Sequence, residues 1–130
     1  MVFLNYMEID NKTAKILKEC GPLADAAVRA LNSKKGEQLV IIDVRGISMV
    51  TDFYLLATGK SAPQLKALAS ESQTVLKSLK GSPVRVGGSP ESGWLIVDAG
   101  DLVVHVFSED MRGYYNLEEL WNDAGIYALQ

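Results

Sequence analysis

The sequence predicts a single domain of the α/β (α+β) class, with a mixed β-sheet flanked by helices. Three observations carry that expectation. Apolar residues recur at helical spacing over 23–31 and 65–79, apolar runs of strand length occupy 39–44, 53–58 and 102–107, and the segments interleave as helix, two strands, helix, three strands, helix. A chain of 130 residues also suits one hydrophobic core.

Asp10 to Cys20 has helical character, with Ile16 and Leu17 apolar and Lys12, Lys15 and Lys18 solvated, until Gly21-Pro22 stops it. Leu23, Ala26, Ala27, Ala30 and Leu31 then lay an apolar stripe along one helix face. That helix is expected to end at Asn32-Ser33-Lys34-Lys35-Gly36, with Gly36 taking a left-handed cap. Leu39 to Val44 reads as a central strand and Phe53 to Thr58 as the next. Ser61 stands where a helix N-cap belongs, Pro63 fits the first turn, and Leu65, Leu68, Ala69, Val75, Leu76 and Leu79 follow at helical spacing up to Lys80-Gly81. Val84 to Val86, between Ser82-Pro83 and Gly87-Gly88, reads as a short outer strand. Trp94 to Asp98 and Leu102 to Phe107 are expected to form a hairpin closed by Asp98-Ala99-Gly100-Asp101. Asn116 is expected to cap a last short helix, Leu117 to Asp123, with Leu117, Leu120 and Trp121 on its apolar side.

Cys20 is the only cysteine and His105 the only histidine, which leaves no intramolecular disulfide and no His/Cys metal cluster. Met1 to Ile9 has no basic segment and makes a poor signal peptide, and no apolar run reaches the roughly 20 residues that span a bilayer. The reading is a soluble protein. The net charge of -3 hides a polarity: residues 86–130 hold eight acids against the single base Arg112, whereas residues 1–85 hold twelve bases against eight acids. The acidic part repels phosphates, so direct nucleic-acid binding there is disfavoured and a basic protein is the better match.

Gly59-Lys60-Ser61 lies between strand and helix where a phosphate loop would sit, but position 54 is tyrosine where that loop needs glycine, so it reads as a helix cap. Gly87-Gly88 lacks a third glycine at dinucleotide spacing and reads as a loop. Metal-dependent nucleotidyl transfer needs paired carboxylates on one strand, and Asp43 stands alone in its strand. Asp98 and Asp101 read as turn residues that also contribute to an acidic surface. Across a short turn the hairpin pairs Asp98 with Asp101, Ile96 with Val103 and Trp94 with His105 on one face. Two readings of Trp94 stand, an interface anchor or part of a buried sheet face. His105 reads as a satisfied strand histidine, since no nucleophile is placed for it. Trp121 reads as a clamp holding the last helix to the sheet, while Arg112 and Tyr115 fit either a clamp or a contact.

At Asp43-Val44-Arg45-Gly46, Thr51-Asp52-Phe53, Thr58-Gly59-Lys60-Ser61 and Gly93-Trp94-Leu95-Ile96-Val97-Asp98-Ala99-Gly100-Asp101, then Val104-His105-Val106-Phe107, the chain resembles the ribosomal silencing factor (RsfS/Iojap-like) family. The stretch from Arg112-Gly113-Tyr114-Tyr115-Asn116-Leu117 to Asp123-Ala124 is similar to that family's closing signature. The likeness runs from Leu23 to Ala124. It implies residues 1–22 as a leading helix or extension, 23–124 as the domain and 125–130 as a tail. It also implies a nucleotidyltransferase-like fold without catalytic carboxylates, hence no enzyme, cofactor or metal. The implied partner is large-subunit ribosomal protein fourteen, a basic protein on the joining face. Binding there would block docking of the small subunit and repress translation when nutrients are short, in the cytoplasm and with no membrane; family members can also form homodimers. By position, Trp94, Asp98, Asp101, His105, Arg112 and Tyr115 are the partner-binding residues the resemblance implies. Large-subunit assembly, the role of organelle relatives, is the alternative. A nucleotidyltransferase enzyme lacks its carboxylate pair here, and an oligomeric scaffold would self-associate without ribosomes.

Overall fold

A computed structural model of the chain describes residues 11–81 and 83–129. Residues 11–33 form one helical run, α1 (Asn11–Ser33), broken where Gly21 leaves helical geometry at φ 82° and ψ -168° ahead of Pro22. The two expected helices are therefore the arms of one kinked element; Asp10, the expected start, lies outside the described residues. At its end Lys35, and not Gly36, takes the left-handed conformation, at φ 62°. Gly36 answers a different need. A Cβ there would lie 3.0 Å from Leu68 and 3.1 Å from the Leu31 carbonyl, so glycine lets the chain turn close under its neighbouring helix.

The strands β1 (Glu37–Asp43) and β2 (Phe53–Gly59) precede α2 (Ala62–Lys80), whose Ser61 cap accepts from the Gln64 N–H at 3.2 Å and whose Gly81 closes the helix at φ 66°. Leu79, expected on the apolar stripe, is exposed. Next come β3 (Arg85–Ser89), β4 (Trp94–Asp98), β5 (Leu102–Ser108), α3 (Glu109–Tyr115), α4 (Leu117–Leu120) and β6 (Gly125–Ala128). The sheet order is β3-β4-β5-β2-β1-β6, antiparallel except for the parallel pair β2 and β5. That mixed sheet flanked by helices is the predicted class.

Four expectations need correction. Gly87 and Gly88 lie inside β3 and not in a loop. The hairpin register differs by two residues: Trp94 pairs with Phe107, Ile96 with His105 and Asp98 with Val103. The cause is a turn of the same length set one residue further along, in which the Ala99 N–H donates to the Leu102 carbonyl at 2.9 Å and Gly100 and Asp101 make the bend. Helix α3 was not expected, and Asn116, in the left-handed region at φ 47°, closes it by donating its N–H to the Arg112 carbonyl; its side chain caps nothing in α4, which ends at Leu120 with that leucine exposed. Finally, residues 125–128, expected within a tail, form β6 against β1.

Alternation along the strands separates two apolar layers. Leu39, Ile41, Phe53, Leu55, Ala57, Leu95, Val97, Leu102, Val104 and Val106 pack with α1 and α2 in the main core. Val40, Ile42, Val44, Leu56 and Phe107 face the other way, where Leu117 and the partly buried Tyr54, Trp94, Met111, Trp121 and Ala124 cover them. Among the described residues, the short helices α3 and α4 are the ones that cover this second face.

Candidate functional site

This second face carries a cluster of aromatic residues. Trp94 opens β4, and Phe107 beside it stacks on the indole with ring centres 5.1 Å apart. Tyr115, at the end of α3, closes from above at 4.3 Å. What brings α3 so near is Gly93: it sits at φ 78°, and a Cβ there would lie 2.7 Å from both Met111 and Ser108. Ser108 also donates its N–H to the Gly93 carbonyl at 2.9 Å and caps α3 through its hydroxyl, which accepts from the Met111 N–H.

His105 is 6% exposed and lies among Tyr54, Trp94 and Phe107. The Trp94 Nε1–H donates to its Nδ1 at 3.1 Å. An acceptor at Nδ1 carries no proton, so the neutral ring holds its proton on Nε2, which is buried without a hydrogen-bond partner among the described residues. Burial pushes the imidazole pKa down to about 4. A ring that stays neutral at ordinary pH is a permanent acceptor for the indole.

Arg112 is buried. Its Nη1–H donates to the Thr58 hydroxyl at 2.8 Å, while Nε and Nη2 grip Glu118 at 3.2 and 2.8 Å. One guanidinium thereby ties α3, α4 and β2 together, a geometry that suits its planar fork. Trp121 packs on Tyr54 with ring centres 5.7 Å apart, which gives it the clamping position expected of it. Asp98 accepts from the Gly100 N–H at 2.9 Å and so shapes the turn, while the Asp101 carbonyl accepts from the N–H groups of Asp52 and Phe53, tying the turn to the start of β2 and leaving the Asp101 residue exposed.

The structure thus joins Trp94, His105 and Tyr115 in one cluster, buries Arg112 beneath it, and sets Asp98 and Asp101 at the far end of the sheet. Sequence reasoning missed Tyr54 and Phe107 as members of the cluster. Alternation in β2 and β5 was the available signal, since Tyr54, Leu56 and Thr58 share the face of Val103, His105 and Phe107. Tyr114 packs on Tyr115 with ring centres 5.1 Å apart, and exposed Leu120, Glu109, Asp110 and Glu119 lie on α3 and α4, the helices over this face.

The phosphate-loop position is otherwise engaged. Lys60 pairs with Glu37 at 3.1 Å, and its N–H donates to the Gln64 side chain. Asp43 is held by Arg45 at 2.8 Å, and that hydrogen-bonded guanidinium lowers its pKa below the usual carboxylate value. Among the described residues no group of three or more His, Cys, Asp or Glu side chains could hold a metal ion, and no helix is long and apolar enough to cross a membrane.

Residues 17–130 match the family model described as ribosomal silencing factor during starvation. A ribosomal silencing factor of Halalkalibacterium halodurans is 42% identical over 108 residues, 83% of this chain and 92% of that one. A crystal structure of a Chromobacterium violaceum protein superimposes with a TM-score of 0.72 at 36% identity, over 77% of this chain and 83% of that one. A mouse protein named for mitochondrial assembly of the large ribosomal subunit is more distant, 30% identical over 75% of this chain and 44% of its own length.

Proposed function

Because the chain belongs to the ribosomal silencing factor family, we propose that it binds the large ribosomal subunit through basic ribosomal protein fourteen and blocks joining of the small subunit. The action is steric and regulatory, without catalysis. It represses translation when nutrients are short, in the cytoplasm and on the ribosome.

The observation that carries this reading is the aromatic cluster of Trp94, His105 and Tyr115, covered by α3 and α4, the helices that also bear the exposed carboxylates Glu109, Asp110 and Glu119. Large aromatic side chains anchor protein interfaces, and an acidic surround steers a basic partner toward them. Trp94 and Tyr115 supply the anchor, Asp98 and Asp101 add carboxylates at the other end of the sheet, and His105 and Arg112 hold the anchor in place from below.

Sedimentation of purified subunits at magnesium concentrations that promote joining provides the test. The protein is expected to shift joined ribosomes to free subunits and to be retained by immobilised ribosomal protein fourteen. Unchanged joining together with no retention would overturn the reading. A second reading, assembly of the large subunit, draws on the name of the mouse relative. Accumulation of incomplete large subunits on depletion, with normal joining of mature ones, would favour it. A homodimer, if formed, appears as a doubled mass when the free protein is sedimented.

A further inference from the structure

The β1–β2 connection displays three apolar side chains at its tip: Ile47 is 44% exposed, Met49 102% and Val50 77%. This is a tied segment. The N–H groups of Ile47 and Ser48 both donate to the Val44 carbonyl, the Val50 N–H donates to the Ser48 hydroxyl, and the Val44 N–H donates to the Asp52 carbonyl, all at about 3 Å. Val44 and Thr51, at the two ends of the tip, are buried, so the chain has inward places here and leaves Met49 and Val50 out of them. A fixed, outward apolar tip on a globular domain marks a contact surface.

Charge indicates what it contacts. Asp52 and Phe53 donate their N–H groups to the Asp101 carbonyl at 3.2 and 3.1 Å, which sets the tip beside the β4–β5 turn and its carboxylates. Of the nearby bases, Arg45 is neutralised by Asp43 and Glu19 at 2.8 and 2.7 Å, Lys80 donates to the Ala99 carbonyl at 2.6 Å, and Arg85 lies opposite Asp98 on the outer strand β3. Exposed Asp52 and Asp101 remain as the rim. Such a rim repels a phosphate backbone or an anionic lipid surface and suits lysine and arginine. The tip is also separate from the aromatic cluster. Phe53 pairs with Leu102, whereas Trp94 pairs with Phe107, five residues or about 16 Å further along β5.

We propose that the Ile47–Val50 tip is a second protein-contact element, in which Met49 and Val50 press on an apolar spot of a basic protein surface while Asp52 and Asp101 face its cations. It deepens the ribosome-binding reading and rests on it: the chain meets the large subunit at two ends of one sheet, and its partner is an extended surface and not a short peptide.

Co-sedimentation with purified large subunits tests this, using the unaltered chain, a Met49→Asp/Val50→Asp double variant, Met49→Leu and Trp94→Ala. The tip side chains lie in solvent, so the double variant keeps its thermal midpoint and is expected to bind about tenfold more weakly, while Met49→Leu binds normally. A photo-crosslinking side chain introduced at Met49 is expected to attach to a basic protein of the subunit. Binding of the double variant within about twofold of the unaltered chain overturns this inference, and if Trp94→Ala then fails to bind, the ribosome-binding reading stands without it. Crosslinks confined to ribosomal RNA, or binding of the unaltered chain to anionic phosphatidylserine vesicles that the double variant loses, also overturn it. If the unaltered chain does not bind large subunits, both readings fall together.

Discussion

The indole N–H of Trp94 points at Nδ1 of His105 across 3.1 Å, and the imidazole accepting it is buried and neutral. Donor and acceptor sit on adjacent strands, Trp94 on β4 and His105 on β5, so the sheet itself fixes the orientation of the tryptophan. An anchor held in its bound rotamer loses less entropy when a partner arrives. The proposed anchor is pre-set by a residue that need not touch the partner.

Trp94→Ala is therefore expected to weaken binding to the large subunit by about 2 kcal/mol or more. His105→Phe removes the acceptor but keeps an aromatic ring, and His105→Gln offers an amide oxygen in its place. Titration of labelled subunits should rank the unaltered chain first, His105→Gln next and His105→Phe below it. The indole N–H resonance of Trp94 should move in His105→Phe without any partner present. Equal affinities for all three proteins would remove His105 from the anchor's support.

Acid should weaken the fold through the same imidazole. The unfolded chain takes up this proton near pH 6.5 and the folded chain only near 4, so the stability from burying a neutral ring is fully present above 6.5. It drains away as pH falls across that window and is gone below it, a change of about 3 kcal/mol. Urea unfolding from pH 7 to 4 should show the loss, and the difference between the unaltered chain and His105→Gln should shrink over the same interval. A constant difference would contradict the assignment.

Arg112→Ala should destabilise the protein by about 2 kcal/mol, because it strands Glu118 and removes the donor to Thr58. Arg112→Lys should recover less than half of that, since one ammonium cannot serve both partners with the geometry of the fork. Thermal denaturation measures the first effect, and hydrogen exchange in α3 and α4 measures whether the lid loosens before the sheet.

Gly93→Ala combines a left-handed backbone with a Cβ pressed on Met111 and Ser108. The expected cost is about 1–3 kcal/mol, with loss of the ring contact between Trp94 and Tyr115 visible as a change in near-ultraviolet circular dichroism. A spectrum identical to that of the unaltered chain would show that α3 can be displaced without disturbing the aromatic cluster.

The sequence carried the parts of this structure whose signals are local. Ser61 with Pro63 announces α2, Gly21-Pro22 announces the kink in α1, and the stripe from Leu23 to Leu31 announces its buried face. Where it failed, the deciding contact is distant. Gly125 to Ala128 is four residues with no strand signature and becomes β6 only because β1 offers an open edge. The short helix α3 has no apolar stripe, although Ser108 followed by Glu109 and Asp110 is a helix-start signal that could have revealed it. Trp94 and Tyr115 are 21 residues apart, and only the Gly93 approach to α3 brings their rings to 4.3 Å. The resemblance supplied the family, whereas the division of labour between anchor and support came from geometry.

Strand β6 has a consequence for the order of events at synthesis. Its partner β1 is made early, and the paired residues Asp43 and Gly125 are 82 positions apart. Until Gly125 to Ala128 have been translated, the outer edge of β1 stays bare, with Val40, Ile41 and Ile42 at its centre, although every other strand of the sheet is already present. Closing a pairing over so long a loop comes late in folding, and an uncovered apolar strand is a template for a second nascent chain. A protein proposed to act on ribosomes thus acquires the outermost strand beside β1 after all its other described strands, and a chain truncated before Gly125 should aggregate during expression.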